Sequence, residues 1–132
     1  MPSKNPAQRL RDIIDNVDAI NAFAGELDLE AFRADRKTVY AVVRALEIIS
    51  EASRRLPDDL LHRHPEIDWA AIAAAGNVYR HEYEGVDEAL IWHTAPHGLA
   101  DLRRVSDEEF RRLQSDQSPG PPNGRTPFLK PA

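Results

Sequence analysis

The sequence predicts an all-α protein, a four- to five-helix up-down bundle. Three observations carry that prediction. Apolar residues recur by threes and fours over long stretches, helix breakers fall between those stretches, and alternation with period two never persists. The connections are short, which favours neighbouring helices running up and down around one core. A chain of 132 residues is the size of a single domain.

The elements follow in order. From Ala7 to about Gly25 the apolar positions are Leu10, Ile13, Ile14, Val17, Ile20, Phe23 and Ala24, one face of an amphipathic helix with Gly25 as its stop. Asp28-Leu29-Glu30-Ala31-Phe32 reads as a short acidic turn. A second long helix spans Asp35 to Leu56 on the stripe Val39, Val42, Val43, Leu46, Ile49, Ser53 and Leu56, and Pro57 ends it. His64-Pro65 breaks the chain again. Asp68 sits at an N-cap position ahead of Trp69 and an alanine-rich run, a strong helix former. Gly76 weakens that helix, Gly85 marks a turn, and Asp87 caps a fourth helix carrying Ala89, Leu90, Ile91 and Trp92. Pro96 and Gly98 interrupt it. Leu99 to Val105 reads as a further turn, with Ser106-x-x-Glu109 a capping box for a last short helix.

Composition bounds the function. Hydrophobic residues make up 42% and charged residues 30%, as in globular proteins. The net charge of −5 opposes a protein that coats nucleic acid over its whole surface, though not a local cleft. With no cysteine, disulfide frameworks, thiolate zinc sites and thiol nucleophiles are excluded together. No apolar run is long enough to span a bilayer, and the first residues lack a secretory pattern, so a cytoplasmic protein is expected. Five of the ten prolines fall in 115–132, together with Gly120 and Gly124. The expected division is a helical body over 1–114 and a disordered Pro-rich tail over 115–132.

The histidines are the natural candidates for chemistry. His62 and His64 flank Arg63 in a polar loop and read as solvated. His93 and His97 have the spacing of a shared metal on a helix, but Pro96 and Gly98 disturb that helix and no glutamate follows His93, so no metal is predicted. His81 has different company, Gly76-Asn77-Val78-Tyr79-Arg80-His81-Glu82-Tyr83. Imidazole can take and give a proton near neutral pH, while Arg80 and Asn77 can donate hydrogen bonds to a phosphate whose charge grows during reaction. A ribonuclease that uses no metal needs about that set. The same residues also suit a plain helix end, with Asn77 and His81 satisfying backbone groups and Tyr79 packing.

Gly76-Asn77-x3-His81-x-Tyr83 resembles the Arg-Asn-x3-His-x-Tyr signature of the HEPN superfamily in its HepT-like branch. The rest of the order is similar to that branch as well. Asp35 precedes a helix with Arg44-Ala45-Leu46-Glu47-Ile48-Ile49-Ser50-Glu51-Ala52, Ile67-Asp68-Trp69 precedes the signature helix, and Val86-Asp87 precedes Ile91-Trp92. The resemblance covers about residues 7–104. It implies a homodimeric helical bundle whose two signature motifs share one cleft, with endoribonuclease toxin activity that needs neither metal nor cofactor. The implied partner is a minimal nucleotidyltransferase (MNT) antitoxin, which transfers AMP to the signature tyrosine. On this basis His81 would be the catalytic acid or base, Tyr83 the modified residue, and Asn77 would hold the turn or a phosphate of an RNA substrate such as a tRNA or mRNA.

One departure has consequences. Glycine stands at position 76 where the signature has arginine, and Arg80 is the substitute cation next to His81. The alternative is therefore a non-catalytic HEPN module that binds a nucleotidyltransferase or a nucleotide. Glu82, Glu84, Asp87 and Glu88 crowd the motif with negative charge, so the basic supply is expected from Arg54, Arg55 and the His62-Arg63-His64 loop. Glu47 and Glu51 stack on one helix face with Arg44 a turn away; they form either an exposed ion-pair ladder or, as the resemblance suggests, a polar seam that positions Arg80 or His81. Ser50 suits a close helix crossing. Tyr40, Phe23, Trp69 and Trp92 are expected as core or dimer-face anchors.

Overall fold

The computed structural model describes residues 5–74 and 99–117, and all its regular elements are helices. Helix α1 is Pro6–Ala24, α2 is Leu29–Ala34, α3 is Arg36–Arg54, α4 is Asp58–His62, residues 69–74 form α5, and α6 is Ala100–Gln117.

Helix α1 starts where proline is tolerated, at the first turn, with the Asn5 side chain accepting from the Gln8 backbone N–H at 3.1 Å. Its buried stripe is Leu10, Ile13, Ile14, Val17, Ile20 and Ala24. Phe23, expected on that stripe, is instead 48% exposed. The stripe drifts around the helix with each turn, and Ala24 takes the core position there. Gly25 closes α1 by donating to the Asn21 carbonyl at 2.8 Å, and a Cβ at Gly25 would lie 2.4 Å from that same oxygen.

The acidic stretch after Gly25 is a helix rather than a turn. The Asp28 carboxylate caps it by accepting from the Ala31 N–H at 2.8 Å, and Phe32 is buried beneath it. Asp35 ends α2 and caps α3, accepting from both the N–H and the hydroxyl of Thr38. Helix α3 then buries Val39, Val42, Val43, Leu46 and Ile49 as expected. After Pro57 comes the short α4, absent from the sequence reading, with Asp58 and Asp59 in its first turn and Leu60 in the core. The expected cap of α5 is present, since the Asp68 carboxylate accepts from the Ala71 N–H at 3.1 Å.

The last helix differs from expectation. A single α-helix runs from Ala100 through Ser106 to Gln117, with no separate turn and no capping box. Leu102 and Val105 are fully buried, so the first half is held on the core as firmly as the second. Ser106 is itself buried, and the Glu109 carboxylate is engaged elsewhere instead of reaching back to the Ser106 N–H. The helix also passes Ser115, where the tail was expected to begin; the rest of that segment lies outside the described residues.

Helix α1 lies between α3 and α6. Arg103 grips Asp18 with two hydrogen bonds of 2.7 and 3.0 Å, and the Arg11 guanidinium stands 4.6 Å over the Phe110 ring. Pairing 18 with 103 and 11 with 110 makes α1 and α6 antiparallel. Arg9 and Asp12 near the start of α1 line the same groove as Glu51 and Ala52 near the end of α3, so that pair is antiparallel too. One continuous core results.

Candidate functional site

Asn77, Arg80, His81 and Tyr83 lie outside the described residues, as do Gly76, Trp92, His93 and His97. What is described is the surface over which the chain enters that motif. The hydroxyl of Ser50, almost fully buried on α3, donates to the carbonyl of Ala73 at 2.8 Å. The small side chain at position 50 thus permits a close crossing and pins α5 to α3 three residues before the signature begins. Ser53 reinforces the position by donating to the Ser50 carbonyl at 2.8 Å.

Arg44, Glu47, Ile48 and Glu51 follow one face of α3 at helical spacing. Successive residues turn by about 100°, which puts Ser50 on one flank of this stripe and the buried Ala45, Ile49 and Ala52 on the other. The stripe therefore forms the floor between α1 and α5. With Arg9 and Asp12 of α1 it bounds a groove of about 260 Å³. Arg44 stands 3.4 Å from Glu47, while Glu51 accepts from Arg54 and, at 2.8 Å, from Arg55. The Arg54 and Arg55 guanidiniums hold the Glu51 carboxyl below its ordinary value. The ion-pair ladder along α3 is thus real, and it is also one side of a groove.

The expected basic supply is corrected by this pairing. Arg54 and Arg55 both serve Glu51, and Arg63 and His64 both serve a single buried carboxylate, Glu109. His64 is mostly buried and not solvated: one ring nitrogen lies 2.6 Å from Glu109, the other 3.6 Å from Glu66, and its carbonyl accepts from the Trp69 indole at 3.0 Å. Arg63 meets Glu109 through two nitrogens, at 2.7 and 3.2 Å. His62 is exposed. Burial pushes the Glu109 carboxyl up, but the hydrogen bonds from Arg63 and then His64 outweigh it, leaving the group below its ordinary value. Sequence reasoning missed this clasp, although a signal existed. Leu102, Val105, Ser106 and Glu109 share a core-facing stripe, and a carboxylate on such a stripe needs a cation.

The aromatic residues divide. Trp69 packs against the core, whereas Tyr40 is 46% exposed beneath the Arg36 guanidinium, which donates to its hydroxyl. Among the described residues no group of three metal-ligating side chains is placed to hold a metal ion, and no helix is long and apolar enough to cross a membrane.

Comparison with known proteins identifies the family. A family model described as "Ribonuclease HepT-like" matches residues 13–109. The protein named "Probable ribonuclease HepT" of Thermococcus cleftensis is 40% identical over 94 residues, covering 71% of this chain and 86% of that protein. Two proteins of Methanocaldococcus jannaschii are also similar: "Putative RNase MJ0127", 35% identical over 109 residues (80% of this chain, 90% of that one), and "Putative RNase MJ0125", 31% identical over 116 residues (88% and 97%). No solved structure matches the chain significantly.

Proposed function

The chain belongs to the HepT-like ribonuclease family, and from that premise we propose that it is the toxin of a HEPN/MNT toxin–antitoxin pair, an endoribonuclease that works without a metal. The observation that carries this reading is the similarity to proteins named as ribonucleases over a span that includes Asn77, Arg80, His81 and Tyr83. His81 removes the ribose 2′-hydroxyl proton, the freed oxygen attacks the adjacent phosphorus, and the 5′-oxygen departs with a proton. The products are a 2′,3′-cyclic phosphate and a 5′-hydroxyl. Arg80 and Asn77 stabilise the charge that grows on the phosphoryl oxygens. Two copies of the bundle complete the cleft, and an MNT-type nucleotidyltransferase silences it by transferring AMP from ATP to the Tyr83 hydroxyl, with pyrophosphate as the leaving group.

The described residues support this arrangement without containing it. Ser50 fixes the chain leading into the signature against α3, beside the stripe of Arg44, Glu47 and Glu51. Those three residues then serve as a positioning seam for Arg80 or His81.

One observation favours a second reading. Gly76 replaces the signature arginine, so a module that binds the nucleotidyltransferase or a nucleotide without cutting RNA is the alternative. Purified protein in EDTA decides between them. Cleavage to 2′,3′-cyclic ends that His81→Ala abolishes and Arg80→Ala lowers by about 100-fold establishes the nuclease. No cleavage by the wild type at any salt concentration establishes the binding module, and cleavage undiminished in His81→Ala removes His81 from the mechanism.

A further inference from the structure

We propose that Arg9 of α1 is a phosphate-binding residue, and that the α1–α3 groove receives a backbone phosphate of an RNA strand. The proposal rests on the ribonuclease reading for the identity of its ligand. Its geometry comes from one guanidinium that is only half used.

The Nε and Nη2 hydrogens of an arginine lie on one edge, spaced to grip two oxygens of a carboxylate or phosphate. Arg103 uses that edge fully on Asp18, at 2.7 and 3.0 Å, and Arg63 does so on Glu109. Arg9 does not. Its Nη2 stands 3.4 Å from Asp12, too long for a good charge-assisted hydrogen bond, and its buried Nε finds no acceptor among the described residues. Asp12 is meanwhile bound at 2.9 Å by Gln8. A buried donor without an acceptor is costly, and a turn of the partly exposed Arg9 side chain would bring that edge to an incoming oxyanion, exchanging one long contact for two short ones.

The surroundings supply a second cation beside three carboxylates. The groove holds about 260 Å³, and Arg44 lines it as well, 72% exposed and only loosely paired with Glu47. Of the three carboxylates that line it, Glu51 is held by Arg54 and Arg55, Asp12 accepts from Gln8, and Glu47 has the 3.4 Å contact with Arg44. The groove floor adjoins Ser50, which anchors the chain leading into the signature.

The test is binding of a fluorescent 2′-O-methyl RNA oligonucleotide, which cannot be cleaved, followed by anisotropy over a salt series. Arg9→Gln should raise Kd about tenfold and flatten the slope of log K against log salt by about one. Arg9→Lys should keep the slope but weaken binding about threefold, because it keeps the charge and loses the fork. Arg33→Gln, on exposed α2, should bind like the wild type. Should Arg9→Gln melt below assay temperature, Arg44→Gln on the α3 side of the groove carries the test, with a flattened slope expected. Wild-type Kd and slope in these groove variants, or no RNA binding by the wild type, overturns the proposal. RNA cleavage alongside unchanged binding in Arg9→Gln removes the groove and leaves the nuclease standing. Arg9-dependent binding without cleavage does the reverse.

Discussion

Glu109 shows how one side chain can be misread from its neighbours in sequence and understood from its neighbours in space. Ser106-x-x-Glu109 has the spacing of a capping box, yet both residues are buried in mid-helix and the carboxylate holds Arg63 and His64 of the α4–α5 connection. Removing it leaves a guanidinium and an imidazole without their acceptor. Glu109→Ala should cost about 2 kcal/mol in urea unfolding, less than a fully buried pair because Arg63 keeps access to water. The pH dependence has a defined sign. The folded carboxyl titrates below its ordinary value of 4.5, so its contribution is complete above about pH 4.5 and fades as pH falls through the folded value. The stability difference between wild type and Glu109→Gln should therefore shrink on acidification below that point, and a difference constant with pH would contradict the assignment. Ser106 is the complementary case: its buried hydroxyl has no partner among the described residues. Ser106→Ala should be neutral or stabilising by up to about 1 kcal/mol.

The long helices were legible because their signals are local. Leu10 to Ala24 and Val39 to Ile49 repeat at helical spacing, and the capping aspartates Asp28, Asp35 and Asp68 each bind the backbone N–H three residues on. What failed were judgements that depend on tertiary context. Leu99 to Val105 lacks a clear start signal, and only packing on α1, through Leu102, Val105 and the Arg103–Asp18 pair, makes it the first half of α6. Leu102→Ala should therefore cost about 3 kcal/mol, as a core deletion does, whereas a residue in a surface turn would cost little. Helix α4 escaped notice because five residues carry too little periodicity, although Pro57-Asp58-Asp59 is a recognisable helix start. Ser50 was readable as a tight crossing, and Ser50→Val should destabilise by about 2 kcal/mol through overpacking and loss of the bond to Ala73.

At the scale of the whole molecule, fold class and family could be read from the order of short motifs, since Arg44 to Ala52 and Ile67 to Trp69 are spaced as a HepT-like chain spaces them. Charge distribution could not. Arg54, Arg55, Arg63 and His64 look like free basic groups in a string of letters, and each proves to be committed to a glutamate once the helices are assembled. If two copies build the cleft, sedimentation of the 14.9 kDa chain at micromolar concentration should give a species of twice that mass, and a monomer would remove the shared cleft.

The sandwiching of α1 between α3 and α6 bears on how the molecule is made. Pro6 and Asp116 border one groove, so the earliest and latest described helices meet, separated by almost the whole intervening chain. During synthesis, α1 and α3 leave the ribosome with one flank bare until α6 has been translated. Core closure is consequently a late event, and a nascent chain stalled before Leu102 should remain protease-sensitive where the finished one resists.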